Sequence, residues 1–253
     1  MQLLKGIHAV DLALLLGDTL IISDVHIGFE EALNKQGMMV PRDHFPQLIA
    51  RMEGIFARLQ GRPTNRKKAK KLRQIIVNGD LKHEFGTISE QEWRHTLKFL
   101  DFLKGHCEKI ILVRGNHDTI LGPIARKRGI EVRDHFFIEG HGALVCHGDK
   151  LPSSELIQKS KIIIIGHEHP SVALRSGSRV EKYKCFYVGQ YQRRTLIVLP
   201  SLNLLTEGSA LMHDDVLSPF LKQRLDDFEV FAVEDKVYRF GKLGRLRKKD
   251  FSS

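Results

Sequence analysis

A chain of 253 residues, 42% hydrophobic and 28% charged, has the make-up of a globular protein with room for one large α/β domain or two small ones. No apolar run approaches the roughly 20 residues of a membrane-spanning helix, and the opening Met1–Val10 holds one lysine and no signal-peptide core, so the reading is a cytoplasmic protein with no membrane partner. The net charge of +10 and pI near 9.6 favour polyanionic partners or anionic substrates, with a merely solvated basic surface as the alternative.

The pattern Ala13–Leu16, Gly17-Asp18, Thr19–Ile22 predicts a tight hairpin. Helical spacing follows from Phe29 to Gln36, with Gly37 suited to its C-terminal cap. Met38–Pro41 reads as an ordered loop, its two methionines packed or, alternatively, forming an apolar lip or a subunit contact. Residues 44–59 carry apolar side chains at helical intervals, and Gly61 ends that helix. The basic run Arg62, Arg66, Lys67, Lys68, Lys70, Lys71, Arg73 is either a mobile loop or a nucleic-acid contact, and it has no interleaved aromatic for base stacking.

A strand over Gln74–Val77 comes next. Ser89 and Glu92 then form a capping-box pattern for a helix through Leu103. Lys109–Val113 is the next strand and Ile120–Lys127 a short helix. From Ile130 short strands dominate: 136–138, 143–146, 161–165, 172–174, 184–188 and 195–199, with a final hairpin turning at Glu234-Asp235. The first half thus reads β-α-β-α and the second mostly β, giving one domain over 1–241 built from two sheets and a basic tail, 242–253, expected to fray. Cys107, Cys146 and Cys185 are odd in number and far apart, which predicts buried thiols.

Five short polar signatures close apolar runs: Ser23-Asp24-Val25-His26, Asn78-Gly79-Asp80, Gly115-Asn116-His117-Asp118, Cys146-His147-Gly148-Asp149 and Gly166-His167-Glu168-His169. Their side chains are good ligands for divalent cations, and five segments delivering them to one sheet edge point to a two-metal hydrolytic site. Asp24 and His26, at strand spacing, would face the same way. Asp80 has two carboxylate oxygens with which to bridge two ions, offsetting their repulsion. Asn116 offers a neutral oxygen. His117 would touch substrate, stabilising a phosphoryl oxygen or protonating a leaving alkoxide, with Asp118 able to orient its ring. His83 is either a support for a ligand or a surface residue.

These motifs, in this order and each after a strand, resemble the calcineurin-like metallophosphoesterase superfamily over Asp24–His169. Gly28–Leu33, the Gly37–Pro41 loop and Gly79-Asp80-Leu81-Lys82-His83 look nearest to its small prokaryotic, largely archaeal branch, related to phosphoesterases encoded beside DNA ligase genes. The resemblance implies a four-layer α/β/β/α sandwich, two mixed sheets flanked by helices, with the ions at the strand ends. It implies one ion on Asp24, His26, Asp80 and His169, a second on Asp80, Asn116, His147 and His167, and His117 as the catalytic non-ligand. Manganese is the first choice, with iron, zinc or nickel as alternatives. The run Gly79–Gly86 lacks the Asp-Arg pair of the phosphoprotein phosphatases, which disfavours protein phosphatase activity.

The implied reaction is hydrolysis of a phosphoester by in-line attack of a metal-bound water. A phosphodiesterase acting on nucleic acid or nucleotides, a small-molecule phosphomonoesterase and a catalytically silent binding protein compete as readings. The oligomeric state is open.

Overall fold

The computed structural model describes residues 1–61, 71–86, 88–176, 179–210 and 216–250. The chain opens as an antiparallel meander of β1 (Gln2–Leu4), β2 (Ile7–Val10), β3 (Ala13–Leu16) and β4 (Thr19–Ile22). The predicted hairpin is its last turn, where Leu16 pairs with Thr19 across Gly17, φ +60°. The strands before it have too little alternation to be read from sequence.

Helices α1 (Phe29–Lys35) and α2 (His44–Gln60) then lead to β5 (Leu72–Asn78). Gly37 follows α1 with φ +85°, a left-handed geometry that suits a residue without Cβ. Met38 and Met39 are 47% and 97% exposed, so the packed loop expected there is not what forms. The basic run over 62–70 lies outside the described residues, while Arg73 belongs to β5.

Helix α3 (Glu90–His106), strand β6 (Cys107–Val113), helix α4 (Leu121–Arg128) and strand β7 (Glu131–Arg133) complete the first half. Only half of the predicted capping box is made. Ser89 Oγ accepts from the Glu92 N–H, but the Glu92 carboxylate turns away to accept from His83 N and Glu84 N at 2.7 and 3.0 Å. Strands β4, β5, β6 and β7 are parallel, so the first sheet runs β1 to β7 in chain order and is mixed.

The second sheet is built from β8 (His135–Ile138), β9 (Ala143–Cys146), β10 (Ile162–Ile165), β11 (Pro170–Ser176), β12 (Arg179–Tyr191), β13 (Arg194–Val198) and β14 (Ser209–Ala210), with β15 (Glu229–Val233) and β16 (Val237–Lys242) joined through β12. It too is mixed: β9, β10 and β13 are parallel neighbours and the flanking strands antiparallel. Strands β11 and β12 run well beyond the apolar stretches expected at 172–174 and 184–188. They form an arm whose residues, such as Arg179, Glu181 and Lys182, are too polar for a core-strand signal.

The layers follow from strand alternation. On β10 and β13, Ile164 and Ile197 face the core shared with the first sheet, whereas Ile163, Ile165, Leu196 and Val198 face a second cluster. Leu48, Met52, Ile55 and Phe56 of α2 and Leu100 and Leu103 of α3 cover the first sheet. Ile157 of α5 (Ser154–Lys159), the turn Pro219–Leu221 and Leu243 of α6 (Leu243–Asp250) cover the second. The result is a helix, sheet, sheet, helix sandwich. The tail expected to fray is therefore helical over Leu243–Asp250. Its first residue is buried, and Leu243 N and Gly244 N bond to the Phe228 and Asp226 carbonyls.

All three cysteines are buried and free, and burial pushes the Cys146 thiol up to about 12 and those of Cys107 and Cys185 upward as well. Iodoacetamide at neutral pH should therefore leave all three unmodified in the native protein and alkylate them in denaturant, as read by mass. Native labelling of Cys146 or Cys185 would contradict this packing.

Candidate metal centre

Parallel strands present their carboxyl ends along one edge, which is where open α/β sheets place ligand sites. Here β4, β5 and β6 of the first sheet and β9 and β10 of the second deliver the five polar signatures to a common edge. Hydrogen bonds join the sheets at that edge. Within the first sheet Ser23 Oγ donates to the Asn78 carbonyl at 2.6 Å. Across to the second, Asn78 Nδ2 donates to the Cys146 carbonyl at 3.0 Å and His167 N donates to the Asp24 carboxylate at 3.1 Å.

The backbone of these signatures is not extended. Asp24, His26, Asp80, His167 and His169 have φ of +54°, +49°, +47°, +67° and +48°. Left-handed conformations cost a residue with Cβ about 1 kcal/mol or more each, and strain of this kind gathers at functional sites. The common orientation expected of Asp24 and His26 from strand alternation is thus produced by two left-handed residues instead.

All seven residues named as candidate ligands meet. His26 Nε2 and His169 Nε2 are 3.3 Å apart, His169 Nε2 is 3.4 Å from Asp24 Oδ1, and His26 Nε2 is 3.7 Å from Asp80 Oδ2. In a neighbouring group, His147 Nε2 lies 3.0 Å from Asn116 Oδ1, 3.2 Å from His167 Nδ1 and 3.3 Å from Asp80 Oδ2. Asp80 Oδ2 is common to both groups. Its other oxygen accepts from His117 N at 2.9 Å. This set of imidazole nitrogens, carboxylates and one amide oxygen, without thiolate, could hold borderline divalent ions. His83 Nδ1 stands 3.4 Å from His26 Nδ1, so it supports the cluster and is not a detached surface residue.

The charges are tightly arranged. Burial works against the Asp24 carboxylate, yet His169, His147 and His26 hold it well below the usual range. Asp80 is lowered too: burial opposes ionisation, and the hydrogen bond and charge of His147 overcome it. His147 is in turn raised to about 9, since its burial is outweighed by Asp80 and Asp24. His26 falls to about 3 through burial and its neighbour His169.

His117 is held differently from expectation. Asp118 does not reach its ring, because backbone N–H groups take that carboxylate: it accepts from Leu81 N at 3.1 Å and from Gly115 N at 3.1 Å. The His117 ring instead places Nδ1 2.5 Å from the His83 carbonyl. A carbonyl only accepts, so Nδ1 carries the proton and Nε2, 3.9 Å from Asp80 Oδ2, faces the centre.

Several supports, Glu168 excepted, give no sequence signal of their own. Lys82 is fully buried and its Nζ donates to the carbonyls of His117 and Glu84. Ser201 Oγ and Asn203 N donate to the Asp24 carbonyl at 2.8 and 3.1 Å. Lys184, brought down to about 7 by burial against the pull of Asp24, donates to the Ser201 and Asn203 carbonyls. Glu168, between two candidate ligands and 1% exposed, accepts from Leu217 N and Ser218 N at 3.0 and 2.9 Å. An acidic residue enclosed in an otherwise ligand-bearing motif was the one available hint.

The signature glycines supply space. A Cβ on Gly79 would lie 2.0 Å from His147 Nδ1, and one on Gly166 would lie 1.9 Å from Ser23 Oγ. A cleft of about 290 Å³ opens over the centre, its lining including Phe29, His83, Asn116 and His117 from the first half of the chain and His167, His169, Thr206 and Leu217 from the second.

A family model described as calcineurin-like phosphoesterase matches residues 17–216. Among solved structures, a Pseudomonas putida protein named nuclease MPE is similar at 18% identity and a TM-score of 0.59, over 91% of this chain and 93% of that one. Vacuolar protein sorting 29 from Cryptosporidium parvum matches at 14% identity and a TM-score of 0.37, over 88% of this chain and 97% of that one. The Aquifex aeolicus protein AQ665 matches at 20% identity and a TM-score of 0.36, over 60% and 78%. No curated protein matches the chain.

Proposed function

Since the chain belongs to the calcineurin-like phosphoesterase family, we propose that it hydrolyses phosphodiester bonds of nucleic acid or nucleotides with two divalent ions as cofactors. The observation that carries this reading is Asp80 Oδ2, a single buried atom 3.7 Å from His26 Nε2 in one group of donors and 3.3 Å from His147 Nε2 in the other. Asp24, His26, Asp80 and His169 would hold one ion, and Asp80, Asn116, His147 and His167 the other. Manganese is the first choice, with iron, zinc or nickel compatible with the same donors. When bound, such ions neutralise phosphate charge and supply a nucleophile at neutral pH.

The chain's own part is positioning and proton transfer. The two sheets fix the donors on a strained, hydrogen-bonded backbone, so little rearrangement accompanies binding. His117 keeps its Nδ1 proton on the His83 carbonyl. In its protonated form it gives the Nε2 proton to the departing ester oxygen, and the products are an alcohol and a phosphomonoester. Support for a nucleic-acid substrate comes from the net charge of +10 and from the nuclease name borne by the Pseudomonas putida protein of the same fold.

The test is a manganese-dependent panel of bis-aryl diester, aryl monoester, cyclic nucleotides and single- and double-stranded DNA. Diester and DNA cleavage should exceed monoester turnover and vanish with chelator. Asn116→Ala should lose at least about a hundredfold in kcat/KM while staying folded, more than loss of an outer partner usually costs. Unchanged turnover in that variant would remove Asn116 from the site, and preferential monoester cleavage would favour the phosphomonoesterase reading.

A further inference from the structure

Leu217 lines the cleft over the candidate centre and is 60% exposed, so its aliphatic side chain is open to whatever enters the cleft. It is not loose. The buried Glu168 carboxylate binds Leu217 N and Ser218 N, and Ser218, itself fully buried, donates from Oγ to the Gly148 carbonyl at 2.7 Å. Phe220 and Leu221 sink into the second sheet's cluster immediately afterwards. The backbone is therefore pinned through the same motif that carries His167 and His169, and the Leu217 side chain is presented at a fixed distance from them.

Two further facts describe what this surface would accept. No lysine or arginine is among the described residues lining the cleft, so no described side chain there offers a cationic partner to a second phosphate. His117 follows a strand of the first sheet, with His83 beside it and Phe29 against His83, whereas Leu217 is held to the His167–His169 segment that follows a strand of the second.

We propose that Leu217 is a specificity-determining residue. It packs against the neutral, planar group, nucleobase or aryl, that stays on the phosphate, while the leaving group departs on the His117 side. This rests on the phosphodiesterase reading above and names the substrate class within it: diesters whose retained substituent offers a flat apolar face.

The test compares three diesters with one leaving group, p-nitrophenolate, and different retained groups, using manganese-loaded full-length protein. They are bis(p-nitrophenyl) phosphate, thymidine 5′-(p-nitrophenyl) phosphate and methyl p-nitrophenyl phosphate. Leu217→Asp should lower kcat/KM about tenfold wherever the retained group is aryl or nucleoside, chiefly through KM, and less than about twofold where it is methyl. Leu217→Met should restore the wild-type ratio. A loss with thymidine alone, or with aryl alone, identifies which planar group the surface serves. Equal effects on all three substrates, or none, overturn the assignment of Leu217 while leaving the hydrolase intact. Wild-type protein inactive on all three would overturn the hydrolytic reading and this inference with it.

Discussion

Asp80→Asn is expected to lower kcat/KM for a diester by about a thousandfold or more, a barrier increase of about 4 kcal/mol. The amide keeps the shape of the carboxylate and one acceptor oxygen, so the His117 N–H can still be satisfied. What it removes is the anionic oxygen shared by two donor groups, 3.3 Å from His147 Nε2 and 3.7 Å from His26 Nε2. Two cations held close together lose the charge that offsets their repulsion. Ion content should therefore fall from the proposed two per chain, read by elemental analysis alongside the kinetics. A variant that retains two ions and full turnover would break the proposed arrangement at its centre.

The largest effect on folding is expected at Gly115. Its φ is not left-handed, so the glycine is needed for space alone. A Cβ there would lie 2.2 Å from Asp80 Oδ1 and 2.4 Å from Asp80 N. The second contact is with backbone, which no rotamer change relieves. Asp80 is moreover tied down, since its carboxylate accepts from His117 N and its carbonyl from His26 N. Gly115→Ala should cost about 3 kcal/mol or more in chemical denaturation. Gly86→Ala, with nothing within 4 Å of the added carbon, should stay within about 0.5 kcal/mol of the parent. Equal stabilities for the two variants would contradict the packing of these strand ends.

How much of this was legible beforehand depended on where the signal resides. The edge was readable because each group of candidate ligands follows an apolar strand: Ile22 before Asp24, Val113 before Asn116, Ile165 before His167. Composition and strand pattern carry that directly. The left-handed backbone of Asp24, His26, Asp80, His167 and His169 was hidden, because aspartate and histidine do not announce such a conformation as glycine does. The supports were hidden for another reason. Glu92 fits a capping pattern, which is a local signal, yet its carboxylate serves the His83 and Glu84 N–H groups outside its own helix. Lys184 and Ser201 act on Asp24 across 160 residues or more of chain, and no local spacing encodes that. The same limit explains α6. Lys248 and Lys249 suggested a solvated end, while Leu243 and Leu246 had a partner surface that only the folded second sheet creates.

That the donors come from both sheets ties assembly to cofactor. Asp24, His26, Asp80 and Asn116 ride on the amino-terminal sheet, and His147, His167 and His169 on the other. Neither half alone owns the full proposed set, so an ion held as proposed would act as a clasp across the seam, and its binding free energy would add to the docking of one sheet on the other. Withdrawing it would loosen this end of the sandwich first, while the apolar interface beneath still holds the two halves together.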